Sequence, residues 1–113
     1  MEAPTEVQQI EVSIEELQAK IALAEALDIL HRSTAFKKVF VKEYFEKKAK
    51  NLVSMYALPQ NEMQKELVQN GMIGISSLQS FFRSIYKDGD EASQALAEYQ
   101  QEHAVAIAEG EAS

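Results

Sequence analysis

The chain has 113 residues, of which 46% are hydrophobic and 26% charged, and this balance indicates one globular domain and excludes a chain that is disordered throughout. It contains no cysteine, which excludes disulfides, thiolate nucleophiles and cysteine-ligated zinc. Only four glycines and two prolines accompany many good helix formers, so the composition disfavours a turn-rich β fold and predicts an all-α protein.

The net charge of −7 is unevenly distributed along the chain. Residues 1–28 carry seven acidic side chains and one lysine, and residues 88–113 carry seven acidic side chains and no basic one. Between them, residues 29–50 carry one arginine and six lysines against two glutamates. The acidic ends and the basic centre can dock on each other within one chain or between neighbours; the alternative is that the ends only promote solubility.

The N-terminal residues 1–12 have no sustained apolar period and predict a flexible acidic arm. After the arm, Ser13 and Glu16 have the spacing of a capping box. Apolar residues then recur every three or four positions, which is typical of an amphipathic helix. The first helix is therefore predicted over about residues 14–32.

A second helix is predicted over about residues 35–57, after a Ser-Thr pair that can cap it. It carries an aromatic stripe at Phe36, Phe40 and Tyr44, which share one face because they recur every four positions. Pro59 ends it, because the residue before a proline is displaced from the α region.

A third helix is predicted over about residues 61–87, with Asn61 as its cap. Gly71 and Gly74 lie inside it and cost about 1 kcal/mol each relative to alanine. One long helix is favoured because the glycines would let another helix approach closely; the alternative is a short helix that ends at Gly71. The three helices form a predicted helical core over residues 13–87.

The stretch from Lys87 to Asp90 has the composition of a turn. It opens an acidic C-terminal segment, residues 88–113, in which an alanine-rich helix is predicted over about residues 91–108. Because the connections are short, sequential helices are expected to pack as antiparallel neighbours. The expected fold is an antiparallel helical hairpin or a three- to four-helix bundle with flexible acidic ends.

The sequence contains no catalytic, phosphate-binding or metal-ligating motif. The H-E-x-x-H and E-x-x-H elements, the P-loop and the G-x-S-x-G motif are all absent from it. Asp28 and His31 have the spacing of a metal pair, but zinc needs at least three protein ligands and the sequence offers no second cluster. We therefore predict no enzyme activity, no cofactor, no metal ion and no small-molecule ligand.

The candidate partner-binding residues are the lysines of the second helix and two adjacent phenylalanines of the third. Lysines interleaved with aromatic residues indicate a surface for an anionic partner, although a solvated helix face has the same pattern. Arginine, the usual base-reading side chain, is nearly absent, which favours a protein over a nucleic acid. The two phenylalanine rings project about 100° apart, so one can enter the core while the other faces away, unless the last helix covers both. The candidates are Lys37, Lys38, Lys42, Lys47, Lys48, Phe81 and Phe82.

Three segments resemble small helical proteins of tailed bacteriophages, and the resemblance covers roughly residues 14–87. The segments are Leu30 to Phe40 (LHRSTAFKKVF), Tyr44-Phe45, and Ile75 to Phe82 (ISSLQSFF). The resemblance implies a phage-encoded structural or accessory protein, but it assigns no functional residue. Such a protein is either a virion component held by its neighbours or a host-directed inhibitor that binds a bacterial protein, for which acidity would suit mimicry of nucleic acid.

The predicted function is a non-enzymatic protein–protein interaction or assembly module, with a homo-oligomer or larger assembly as its expected state. A host-directed inhibitor is the second interpretation, and a nucleic-acid-binding protein that uses the basic helix 35–50 is the third. The polar first residues predict no signal peptide, and no apolar run approaches the roughly 20 residues of a membrane span. We therefore expect a cytoplasmic or virion protein without a membrane partner.

Overall fold

The computed structural model describes residues 5–112. Within this range the chain is helical and contains no strand, which confirms the all-α class predicted from composition. Four α-helices and one π-helix follow one another: α1 spans Glu6–Arg32, α2 spans Thr34–Phe36, the π-helix spans Lys37–Lys48, α3 spans Ala49–Tyr56 and α4 spans Glu62–Ala112.

The start of α1 differs from the prediction. α1 begins at Glu6, inside the predicted arm, and residues 1–4 of that arm lie outside the described residues. A capping box does start the helix, but Thr5 and Gln8 form it. The Gln8 N–H donates to the Thr5 hydroxyl at 3.2 Å, and the Thr5 N–H donates to the Gln8 side-chain oxygen at 2.9 Å. Ser13 lies inside the helix, where its hydroxyl donates to the carbonyl four residues earlier.

The second predicted helix is present as α2, the π-helix and α3, which succeed each other without a break. Ser33 caps it as predicted, because its side-chain oxygen accepts the Phe36 N–H at 3.1 Å. The helix ends at Tyr56, before Pro59. The sequence does not predict the π-helix, since aromatic residues that recur every four positions fit both the α and the wider π winding.

α4 is one continuous helix, so Gly71 and Gly74 lie inside it, as the favoured interpretation predicts. The predicted turn over residues 87–90 and the separate last helix are wrong, because α4 runs through Gly89 without a positive φ. Packing gives the physical reason. A Cβ placed on Gly89 would lie 2.5 Å from the Cβ of Ala24, so this glycine allows α1 to approach closely instead of ending a helix.

Asn61 caps α4 as predicted. The Gln64 N–H donates to the Asn61 side-chain oxygen at 2.8 Å, and the Asn61 N–H donates to the Gln64 side-chain oxygen at 3.1 Å. We expect Asn61→Ala to lower the free energy of unfolding by about 1 kcal/mol, measured by urea denaturation followed by circular dichroism. The control is Asn70→Ala on the exposed interior of α4, which should not destabilise because alanine is the better helix former. Equal losses in both variants would contradict the cap.

The chain divides into two compact units, which are described separately. The first combines Met1–Ala26 with Ile85–Ser113. In it, Glu11 of α1 contacts His103 of α4, and Ala24 lies against Gly89. The residue nearer the end of α1, Ala24, contacts the residue nearer the start of α4, Gly89, so the two helices are antiparallel. The buried side chains of this unit include Ile10, Ile85, Ala92 and Ala106.

The second unit is Leu27–Ser84. Its core cluster is formed by three buried residues, Leu52 of α3 with Val68 and Ile75 of α4. Leu52 lies against Gly71, where an added Cβ would meet the leucine methyl groups at 3.0 and 3.1 Å. A small core therefore holds α3 and α4 together, with Tyr44, Phe45 and Ala49 packed against it.

The inward side of α4 follows a heptad pattern, in which buried and half-buried positions alternate by three and four residues. Several of these positions hold glycine, alanine or histidine, which permit close helix packing but bury little apolar area. Many large apolar side chains therefore lie outside this inward side and are exposed. The inward positions are Val68, Gly71, Ile75, Leu78, Phe82, Ile85, Gly89, Ala92, Leu96, Tyr99, His103 and Ala106.

Candidate partner-binding surface

The lysines predicted to bind a partner lie in the π-helix. Lys47 contacts Glu43 at 3.6 Å, and within residues 5–112 no ion pair is formed by the other four. A π-helix is rare, is usually limited to one turn and is frequent at functional sites. All five candidate lysines, Lys37, Lys38, Lys42, Lys47 and Lys48, are exposed.

An aromatic cluster holds the π-helix against α4. Phe82 is its centre, with its ring centroid 4.9 Å from that of His31, 5.8 Å from that of Phe36 and 6.2 Å from that of Phe45. Phe36 is buried, and its ring stacks on that of Phe40 at 4.8 Å. Because the aromatic stripe packs within the unit, the lysines between its members remain in solvent.

Phe81 and Phe82 differ in exposure, as predicted by the interpretation in which one ring enters the core and the other faces away. Phe82 is half-buried in the aromatic cluster, whereas Phe81 is 57% exposed. Their ring centroids are 6.1 Å apart. Of the two, Phe81 therefore presents a ring that a partner could cover, and Phe82 positions the π-helix.

An open groove along α3 is the feature that sequence reasoning missed. It has a volume of about 530 Å³, and Val53 at its wall is 58% exposed. Val53 also lines a neighbouring cavity of about 190 Å³ together with Met72 and Ile75 of α4. Leu52 and Val53 are adjacent apolar residues of the second predicted helix, and the structure buries only Leu52. We name this feature the α3 groove; it is lined by Phe45, Glu46, Ala49, Lys50, Val53 and Ser54.

The second unit exposes more large apolar side chains than it buries. Within Leu27–Ser84, twelve such side chains are exposed and five hydrophobic side chains are buried. Single exposed apolar side chains are ordinary on a protein surface, so an interaction site is sought where several line one groove. The twelve are Ile29, Leu30, Val39, Val53, Met55, Tyr56, Leu58, Met63, Leu67, Met72, Ile73 and Phe81.

The two units carry opposite net charges. The first unit has thirteen Asp and Glu residues against two lysines, a net charge of −11, and the second has nine Lys and Arg residues against five acidic ones, a net charge of +4. We name them the acidic unit and the basic unit. Both acidic ends of the sequence thus belong to one unit, and the basic centre belongs to the other.

The acidic unit has a groove of its own, of about 410 Å³. Val105 lies in its wall and is 50% exposed. Apolar surface in this groove is therefore bordered by four carboxylates, whereas the α3 groove is lined by one lysine and one glutamate. The carboxylates of this groove belong to Glu6, Glu98, Glu102 and Glu109.

The two histidines take part in packing contacts. His31 lies in the aromatic cluster, and His103 Nε2 is 2.9 Å from a carboxylate oxygen of Glu11. Asp28 pairs with Arg32 at 2.9 Å. Across the described residues, no group of three or more His, Asp or Glu side chains is arranged to hold a metal ion. In the same part of the chain, no helix has both the length and the hydropathy needed to cross a membrane.

Comparisons with known proteins give no match: neither a protein-family model, nor a curated protein, nor a solved structure is similar to this chain. The functional argument therefore rests on the surfaces of the two units.

Proposed function

We propose that this protein is a non-enzymatic interaction module that assembles with other protein chains through its basic unit. The observation that carries the proposal is the apolar surface around the α3 groove, where Val53 and Met72 remain open to solvent beside a small core. Burial of apolar surface is the dominant favourable term in most protein–protein association. A partner therefore gains more from this region than from the charged remainder of the unit.

The helical bundle expected from the sequence is completed by the partner in this proposal. α3 and α4 contact each other through Leu52, Val68 and Ile75. A helix placed in the α3 groove would cover Val53 and would reach α4 through the neighbouring cavity that Val53 shares with Met72 and Ile75, as a third member of a bundle does. The bundle would then form between chains.

The resemblance to small proteins of tailed bacteriophages supports a virion or accessory component as the setting. Two observations favour other functions. The net charge of −11 on the acidic unit supports a host-directed inhibitor that imitates nucleic acid. The exposed lysines of the π-helix support a nucleic-acid-binding protein, and this third candidate predicts a steep loss of affinity with salt.

Val53→Gln tests the proposed function. We expect this variant to weaken protein association at least tenfold, because it places an amide in the apolar wall of the α3 groove, and to leave the fold unchanged because Val53 is exposed. Association is measured by light scattering for self-assembly and by titration calorimetry for any other protein partner. The matched control is Ile73→Gln, which alters a residue that is 62% exposed and lies outside the α3 groove. Equal binding by wild type and Val53→Gln would contradict the proposal.

Nucleic-acid binding is tested separately. If the third candidate is correct, the chain binds DNA or RNA with an affinity that falls steeply with salt, and Lys37→Glu with Lys38→Glu abolishes that affinity. We expect no such binding, because the acidic unit repels a polyanion. An affinity that these charge reversals remove would favour the third candidate over the protein module.

A further inference from the structure

We infer that the partner is a second copy of this chain, whose acidic unit docks on the α3 groove and its neighbouring lysines, so that copies join head to tail. The inference rests on the proposed function and adds the identity of the occupant. Its basis is the charge of the two units together with the apolar side chains that each leaves in solvent.

The acidic unit needs a basic partner. Its two helices are both rich in carboxylates, and Glu11 on α1 contacts a histidine of α4. Like charges on adjacent helices repel and lower the stability of the unit. The only basic residues it contains besides histidine are Lys20 and Lys87, and Lys87 lies near Glu91 at 3.9 Å. A basic surface from another chain would relieve this repulsion.

The lining residues of the two grooves are partly complementary. In the α3 groove, Val53 lies beside Lys50, and Glu46 adds one carboxylate. Lys48, two residues before Lys50, lines a neighbouring cavity of about 180 Å³. In the groove of the acidic unit, Val105 lies beside Glu98 and Glu102. A contact between these grooves buries apolar side chains against each other and pairs lysines with glutamates, and such complementarity sets the orientation of the contact.

A contact between two basic units fits less well. It would place the unpaired lysines of one copy against those of the other, and like charges across an interface cost several kcal/mol. A contact between unlike units either closes as a reciprocal dimer, in which the acidic unit of each copy docks on the basic unit of the other, or continues into a ring or a filament.

The test uses two charge-reversed full-length variants. The first carries Lys48→Glu and Lys50→Glu, and the second carries Glu98→Lys and Glu102→Lys. Mass is measured by light scattering against concentration at low salt. We expect each variant alone to lose at least tenfold in self-association, and an equimolar mixture of the two to recover it. The mixture recovers because the reversed basic unit of one variant meets the reversed acidic unit of the other, while the remaining two surfaces are wild type.

A third variant controls for net charge. Lys20→Glu with Lys87→Glu changes the charge as much as the first variant does, but it alters the acidic unit and should retain self-association. All substituted side chains are exposed, and circular dichroism verifies that each variant is folded.

Three outcomes would overturn the inference: a monomeric wild type, wild-type association by either of the first two variants alone, or a mixture of those two that stays dissociated. The proposed function is judged by a separate readout. If Val53→Gln still weakens binding of another protein, the interaction module stands and only the second copy as occupant is rejected.

Discussion

Leu52→Ala is expected to lower the free energy of unfolding by about 2–5 kcal/mol. Leu52 is 4% exposed and is one of three buried residues in the core cluster of the basic unit. With so few buried neighbours, the loss of its branched side chain removes a large part of the apolar contact between α3 and α4. Urea denaturation followed by circular dichroism measures the effect.

The adjacent residue provides the control for this prediction. Val53→Ala removes apolar atoms from the same helix at a position that is 58% exposed, so we expect a change within about 0.5 kcal/mol. If Val53→Ala destabilised as much as Leu52→Ala, the two positions would be equally buried and the α3 groove would not exist as described.

Gly71 lies opposite Leu52 and gives a second test of the same contact. In the wild type, Gly71→Ala places a methyl group 3.0 Å from a Leu52 methyl, so crowding opposes the gain of about 1 kcal/mol in helix propensity. In the Leu52→Ala background the methyl group enters vacated space. We expect Gly71→Ala to be more stabilising there, with a coupling of at least about 0.5 kcal/mol; strictly additive effects would contradict the contact.

Local features of the fold could be predicted from the sequence. Ser33 and Asn61 are caps in the structure because capping depends on a hydrogen bond that spans three residues. Adjacent helix positions project about 100° apart, which predicts that the exposures of Phe81 and Phe82 differ without saying which ring is buried. Each of these predictions needs information only from residues that are close in sequence.

Features that depend on a helix distant in sequence could not be predicted in this way. The sequence around Gly89 has the composition of a turn, and only the approach of Ala24 of α1 explains a glycine inside α4. A signal was nevertheless present: the alternation of three and four residues continues through Ile85, Gly89 and Ala92 without interruption. A turn would break that register, so the spacing indicates one helix where the residue types indicate two.

The α3 groove could not be predicted for a related reason. Periodicity shows which side of a helix is apolar, but exposure depends on how many other helices cover that side. Leu52 and Val53 are adjacent apolar residues that project about 100° apart, and the packing of α4 decides that the first is buried and the second exposed. The candidate lysines were found because charge runs are visible in the sequence, whereas the apolar surface beside them required the packing of α3 against α4.

Gly89→Ala is expected to lower the free energy of unfolding by about 1–3 kcal/mol, although alanine exceeds glycine in helix propensity by about 1 kcal/mol. The added Cβ would lie 2.5 Å from the Ala24 Cβ and 3.5 Å from the Lys20 carbonyl oxygen. Neither Cβ can move by side-chain rotation, so α1 and α4 must separate along the inward side of the acidic unit. Chemical denaturation followed by circular dichroism measures the loss.

The reciprocal substitution identifies the cause. Ala24→Gly removes the opposing methyl group, so adding it to Gly89→Ala should restore stability to that of Ala24→Gly alone. Gly110→Ala is the control within α4, because an added Cβ there has no neighbour within 4 Å, and it should not destabilise. If Gly89→Ala were as stable as the wild type, the close approach of α1 to α4 would be wrong, and the turn predicted over residues 87–90 would again be the better explanation of this glycine.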